Sequence, residues 1–129
     1  MALAVDRPNG EVYLAESTTS IASGAVTACA VSPCYGTIKR VSAAAGGTTG
    51  GLITVAVYIN GGADICGGNL QLTSGNGARA GVYYEMTEVG GGTTSGVTIN
   101  EGDYVAFSPT GGTGSNIPGA FTLVIHKLS

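Results

Sequence analysis

Residues 52–60 read LITVAVYIN, and their alternation decides the fold class. Ile53, Val55, Val57 and Ile59 point one way while Thr54, Ala56 and Tyr58 point the other, the period of two that marks a strand with one buried face. The run stops at Asn60-Gly61-Gly62, residues that tolerate positive φ and suit a hairpin or sharp loop. A pairing strand is expected soon after, and NLQLT at 69–73 supplies Leu70 and Leu72 on one face.

Working outward, strands are expected at VYLA (12–15), AVTACAV (25–31), GTIKRVSAA (36–44), GVYYEMTEV (81–89), VTIN (97–100), DYVAFS (103–108) and AFTLVIHKL (120–128). With the first two that makes about nine, close to the eight of a jelly roll. In the last run Phe121, Leu123 and Ile125 share one face, and Thr122, Val124 and His126 the other. That second face is only half polar, which suggests contact with another subunit or with the N-terminal segment. GTIKRVSAA breaks the alternation, because Ile38 and Val41 fall on opposite faces. A bulge between them would restore it, as would an edge position where Lys39 and Arg40 discourage stray pairing. No window carries a capped apolar stripe at helical spacing. The expectation is an all-β chain: a single jelly-roll-like antiparallel β-sandwich of about eight strands over residues 21–129. An extended N-terminal arm over residues 1–20 precedes it.

VTINEGDYVAF, residues 97–107, places a Glu-Gly-Asp corner between two apolar runs. Asp103 can accept hydrogen bonds from turn amides, and Gly102 supplies a torsion that a Cβ would disfavour. The corner reads as a folding device rather than a catalytic carboxylate. AAGGTTGG, GGADICGG, TSGNGARAG, GGGTTSG and PTGGTGSNIPG are turns and loop tips without a fixed period, so the chain is no repeat solenoid.

The 129 residues suffice for one domain with one core. Hydrophobic residues make up 43% and charged residues only 10%, a lightly charged surface that partners are expected to cover. With five Lys plus Arg and a formal net charge of −3, nucleic acid is not an expected partner. Asp6 and Arg7 interrupt the start of the chain, so no cleaved signal is expected, and no apolar run has the length to span a bilayer. Three cysteines, Cys29, Cys34 and Cys66, cannot all pair within one chain and are expected as thiols.

Familiar catalytic sets are missing from the sequence. His126 is the single histidine, no G-x-S-x-G elbow accompanies it, and one histidine does not make the usual cupin metal set. Glu85 and Glu88 fall on opposite strand faces, while Glu101 and Asp103 flank a turn. No Walker-type phosphate loop is present. The expectation is therefore no enzyme, no cofactor and no metal. Tyr83 and Tyr84 are neighbours, so Tyr84 should turn inward with Val82 and Met86 while Tyr83 turns out. Exposed Tyr83, with Tyr13, Tyr35 or Tyr58, would stack on a sugar or anchor a protein interface.

SPCYGTIKRVSAAAGG (32–47), LITVAVYINGG (52–62), VTINEGDYVAFSPTGG (97–112) and AFTLVIHKL (120–128) together resemble the small β-sandwich structural proteins of tailed bacteriophages, of the capsid-decoration or head-fibre type. The resemblance covers about residues 20–129. It implies a virion subunit, made in the bacterial cytoplasm, that sits as a homotrimer on the capsid exterior and reinforces it. Its implied partners are copies of itself and the major capsid protein, with no membrane. The arm matches a capsid-binding role in placement only; capsid contacts are expected on it at Val5, Arg7, Val12 and Tyr13, and subunit contacts on the half-polar face of the last strand at Val124 and His126. The alternative is a tail-fibre or spike tip, or a carbohydrate-binding module, holding host glycans on loops 76–80 and 116–119.

Overall fold

A computed structural model describes residues 3–6, 10–22, 27–47, 50–72, 81–85, 97–113 and 117–127. Among them lie ten strands and no helix: β1 (Leu3–Asp6), β2 (Glu11–Thr18), β3 (Ala28–Val31), β4 (Gly36–Ala45), β5 (Gly50–Ile59), β6 (Gln71–Leu72), β7 (Gly81–Glu85), β8 (Val97–Ile99), β9 (Tyr104–Thr113) and β10 (Gly119–Lys127).

The strands form two antiparallel sheets packed as a sandwich. Sheet A runs β1-β2-β10-β4-β7, with β8 also on β4; sheet B runs β3-β9-β5-β6. Because β10 covers β4 along its length, β7 and β8 lie end to end on the opposite side of β4. The chain changes sheet at β2→β3, β3→β4, β4→β5, β6→β7, β8→β9 and β9→β10. That double Greek-key order is a jelly roll, with β1 as an added edge strand.

Each inner face is made by alternation. On β5, Ile53, Val55 and Val57 are fully buried, as the opening stretch requires, and on β10 so are Leu123 and Ile125, with Phe121 at 1% exposure. Phe107 of sheet B and Phe121 of sheet A stack with ring centroids 5.1 Å apart and nearly parallel planes, joining the layers at mid-core. The expected partner of β5 is β6, where Leu72 pairs with Ile53 and Gln71 with Thr54.

On β4 the bulge is real. Val124 pairs with Arg40 but Ile125 pairs with Ile38, so Lys39 is left without an opposite residue. The extra residue lets Ile38 and Val41 both face the core at 0% exposure. β4 is an inner strand, not an edge. Its start comes so near β10 that a Cβ at Gly36 would run into the His126 carbonyl.

Two segments differ from the sequence reading. The sandwich begins well before residue 21: β2 is an inner strand between β1 and β10, with Val12 and Leu14 in the core. Its alternation is masked in the sequence because Glu16 and Thr18 also take inward positions. β9 continues past Ser108 through Pro109 to Thr113, where a loop was expected. Among the described residues, β3 pairs with β9 from Tyr104 to Phe107, whereas β5 pairs with it as far as Thr113.

Candidate functional site

Strand registers line up the outer face of sheet A in four rows across β2, β10, β4 and the β7/β8 edge. They are Glu11–His126–Thr37–Thr98, Tyr13–Val124–Arg40–Glu85, Ala15–Thr122–Ser42–Tyr83, and Ser17–Ala120–Ala44–Gly81. Charge is confined to the first two rows. The other two hold small uncharged residues, with Tyr83 alone rising above them. The outer face of sheet B is uncharged across β3, β9 and β5, with Val31 beside Tyr104, Cys29 beside Ala106 and Tyr58, then Ser108 and Ala56, and Asp64 bridged to Tyr58 at the end of the second row. Val31 and Tyr104 are well exposed there.

A shallow groove of about 280 Å³ lies on sheet A between β7, β4 and β10, with Ala44, Gly81 and Ala120 on its floor and Tyr83, Ser42 and Thr122 along its sides. At its mouth Arg40 Nη2 donates to Glu85 Oε1 at 3.2 Å. The same guanidinium lies over the Tyr83 ring, 5.0 Å from its centroid. Tyr83 is 63% exposed, the most open large apolar side chain among the described residues. β7 turns Val82 and Tyr84 the other way, half-buried against the core, while Met86 and loop 76–80 lie outside the described residues.

Two other carboxylates are tied into the backbone. Asp103 Oδ2 accepts the Asn100 N–H at 2.8 Å and Oδ1 accepts from Asn60 Nδ2 at 2.9 Å. Asn60 Oδ1 in turn accepts the Tyr104 N–H, while the Gly102 N–H reaches Ser32 O. Gly102 has φ +90°, the left-handed torsion that the corner needs. The Asn100 amide and the Asn60 amide group hold the Asp103 carboxyl below the usual carboxylate range. In the β5–β6 loop, Asp64 accepts the Val57 and Cys66 N–H groups through Oδ1 and the Gly68 N–H through Oδ2, each at 2.9 Å. Burial, with the Asp64 carboxylate adding to it, pushes the Cys66 thiol up to about 12, so it stays protonated near neutral pH.

All three cysteines are thiols, Cys29 exposed, Cys34 half-buried and Cys66 buried. Cys29 Sγ lies 2.7 Å from the Tyr104 hydroxyl. Among the described residues no three His, Cys, Asp or Glu side chains gather as a metal-binding group would require.

The residues singled out from the sequence are dispersed. Val12 faces the core at 4% exposure and offers no surface to a capsid. Val5 lies on β1 opposite Tyr13, and Arg7 falls outside the described residues. Tyr13 is half-buried on the outer face, its hydroxyl donating to Glu11 Oε1 at 3.3 Å. Val124 does point outward, but Tyr13 and Arg40 flank it and only 8% of it is open. His126 is half-buried at the same end of β10, opposite Glu11 and Thr37. Sequence reasoning named Tyr83 but missed Arg40 and Glu85 as its companions. The signal was a pair of opposite charges 45 positions apart, visible only once β4 and β7 are in register.

No protein-family model matches the chain, and comparison with curated proteins and with solved structures finds no significant match. Fold and surface chemistry are what bear on function.

Proposed function

We propose that this chain is a structural subunit of a tailed-phage virion, a decoration protein that self-associates and attaches to the capsid exterior. What supports the reading is the charge distribution on the sandwich. On the outer face of sheet A charge is confined to the rows that hold Glu11 and the Arg40–Glu85 pair, and beyond them the β2–β10 side offers Ala15, Ser17, Ala120 and Thr122, side chains small enough for close approach of another chain. The motif resemblance given above points the same way. In this reading the β2–β10 side of sheet A packs around a threefold axis, with Tyr13 and His126 at its border. Several weak capsid contacts per oligomer then act together.

The test is mass in solution. A trimer, three times the 12.6 kDa chain, is expected by sedimentation equilibrium. Ala15→Glu places a charge in the middle of the contact and should yield a folded monomer; a wild-type monomer would overturn the self-association. Capsid attachment is read by co-sedimentation with capsids lacking the protein. Because β2 is an inner strand, the informative N-terminal truncation removes residues 1–6 only, leaving β2 and the Lys127 N–H bond to Gly10 O in place. That truncation should weaken capsid binding without unfolding the sandwich.

A further inference from the structure

We propose that the groove between β4, β7 and β10 binds a neutral saccharide, with the Tyr83 ring as its stacking platform and the Arg40–Glu85 pair as the edge that reads hydroxyls. At about 280 Å³ it is near the lower end of small-ligand sites.

Three features of the groove need an explanation that folding does not give. First, Gly81 is not required by its backbone. Its φ is not in the left-handed region, and among the described residues an added Cβ would meet no atom nearer than 4.0 Å, so the missing side chain leaves the floor open. Second, Tyr83 leaves most of its surface in water, although an aromatic ring gains most when covered. Arg40 sits over the ring, and the C–H face of a pyranose is the kind of surface that covers what the guanidinium leaves open. Third, the Arg40–Glu85 pair is 48% and 44% exposed, so it adds little to stability. It nevertheless holds a donor fork and an acceptor beside the ring, with Ser42 and Thr122 in the same row as Tyr83 along the groove.

A sugar hydroxyl both donates and accepts, which suits paired opposite charges. An anionic ligand would meet Glu85 and a cationic one Arg40, so the match is to an uncharged glycan. A second copy of the chain is the poorer occupant, since covering the ion pair with protein would strip water from both charges. The groove lies on the β4–β7 side of the face, beside the proposed β2–β10 subunit contact, and needs only the folded subunit.

The test is amide NMR of the full-length ¹⁵N-labelled chain, titrated with oligosaccharides of glucose, galactose, mannose and N-acetylglucosamine. At least one should shift the amides of Arg40, Ser42, Gly81, Tyr83 and Glu85. Tyr83→Ala should weaken that binding about tenfold or more, and Gly81→Leu should abolish it by filling the floor. Both variants should keep the wild-type far-ultraviolet spectrum and sedimentation mass. Silence across the whole panel, shifts confined to other strands, or unchanged affinity in Tyr83→Ala would overturn the proposal. So would loss of the oligomer in Tyr83→Ala, which would make the groove a subunit contact. A wild-type monomer that still binds sugar would sink the virion assembly and leave this site standing.

Discussion

The Glu-Gly-Asp corner and the rim of the Tyr83 groove both place acidic and polar side chains at the end of a strand, yet they differ in where their hydrogen bonds go. Both Asp103 oxygens are taken by groups of the protein itself, the Asn100 amide and the Asn60 side chain. Asp64, one loop away, accepts three backbone amides. At the rim, Arg40 and Glu85 meet each other through one bond and stay about half in water. A carboxylate whose lone pairs are occupied by its own backbone fixes a turn and has little left to offer a ligand. A carboxylate paired with a half-exposed guanidinium keeps acceptors at the surface.

Substitution should separate the two kinds of carboxylate, and the largest effect is expected at Asp64. Asp64→Ala removes a charged acceptor from three amides and should cost about 3 kcal/mol in urea unfolding. It should also open the loop over Cys66, so that a thiol reagent which spares Cys66 in the wild type reacts with it in the native variant. A loss near zero, with Cys66 still protected, would make Asp64 a bystander.

Asp103 should show a smaller effect that depends on pH. Its carboxyl is held below the ordinary carboxylate value by the Asn100 and Asn60 donors. The depressed group contributes stability that is present above the unfolded value near 4 and lost as pH falls through the lower folded value. Urea midpoints measured from pH 6 downward should therefore fall more steeply for wild type than for Asp103→Asn once the pH passes below about 4. Parallel curves would remove the corner from the account of acid stability.

Glu85→Gln should have the smallest effect, within about 0.5 kcal/mol of wild type, because exposed ion pairs contribute little. A loss as large as that at Asp64 would place the rim with the folding devices and erase the contrast on which the saccharide site rests.

Much of the architecture was legible in the chain because the information is local. Period-two alternation marked β5 and β10, and the misfit in GTIKRVSAA marked either a bulge or an edge strand, of which the structure has the bulge, with Lys39 unpaired on an inner strand. The corner at Gly102-Asp103 was readable as a turn from residue types alone. β2 was underestimated because Glu16 and Thr18 interrupt its apolar inner face. Val12 was taken for a contact residue because nothing in its neighbourhood showed that its strand would be an inner one with Val12 turned into the core.

By itself the sequence determined that the chain would be all-β, which side of each clear strand would face inward, and where two of the turns would fall. Those properties follow from side-chain alternation and backbone torsions over a few residues. Only the tertiary structure decided that β10 separates β2 from β4, and that Arg40, Tyr83 and Thr122 line one groove with Glu85 paired to Arg40 beside it. A jelly roll pairs strands distant in sequence through hydrogen bonds that are the same whatever the side chain, so neighbours and registers are fixed by how the whole core closes.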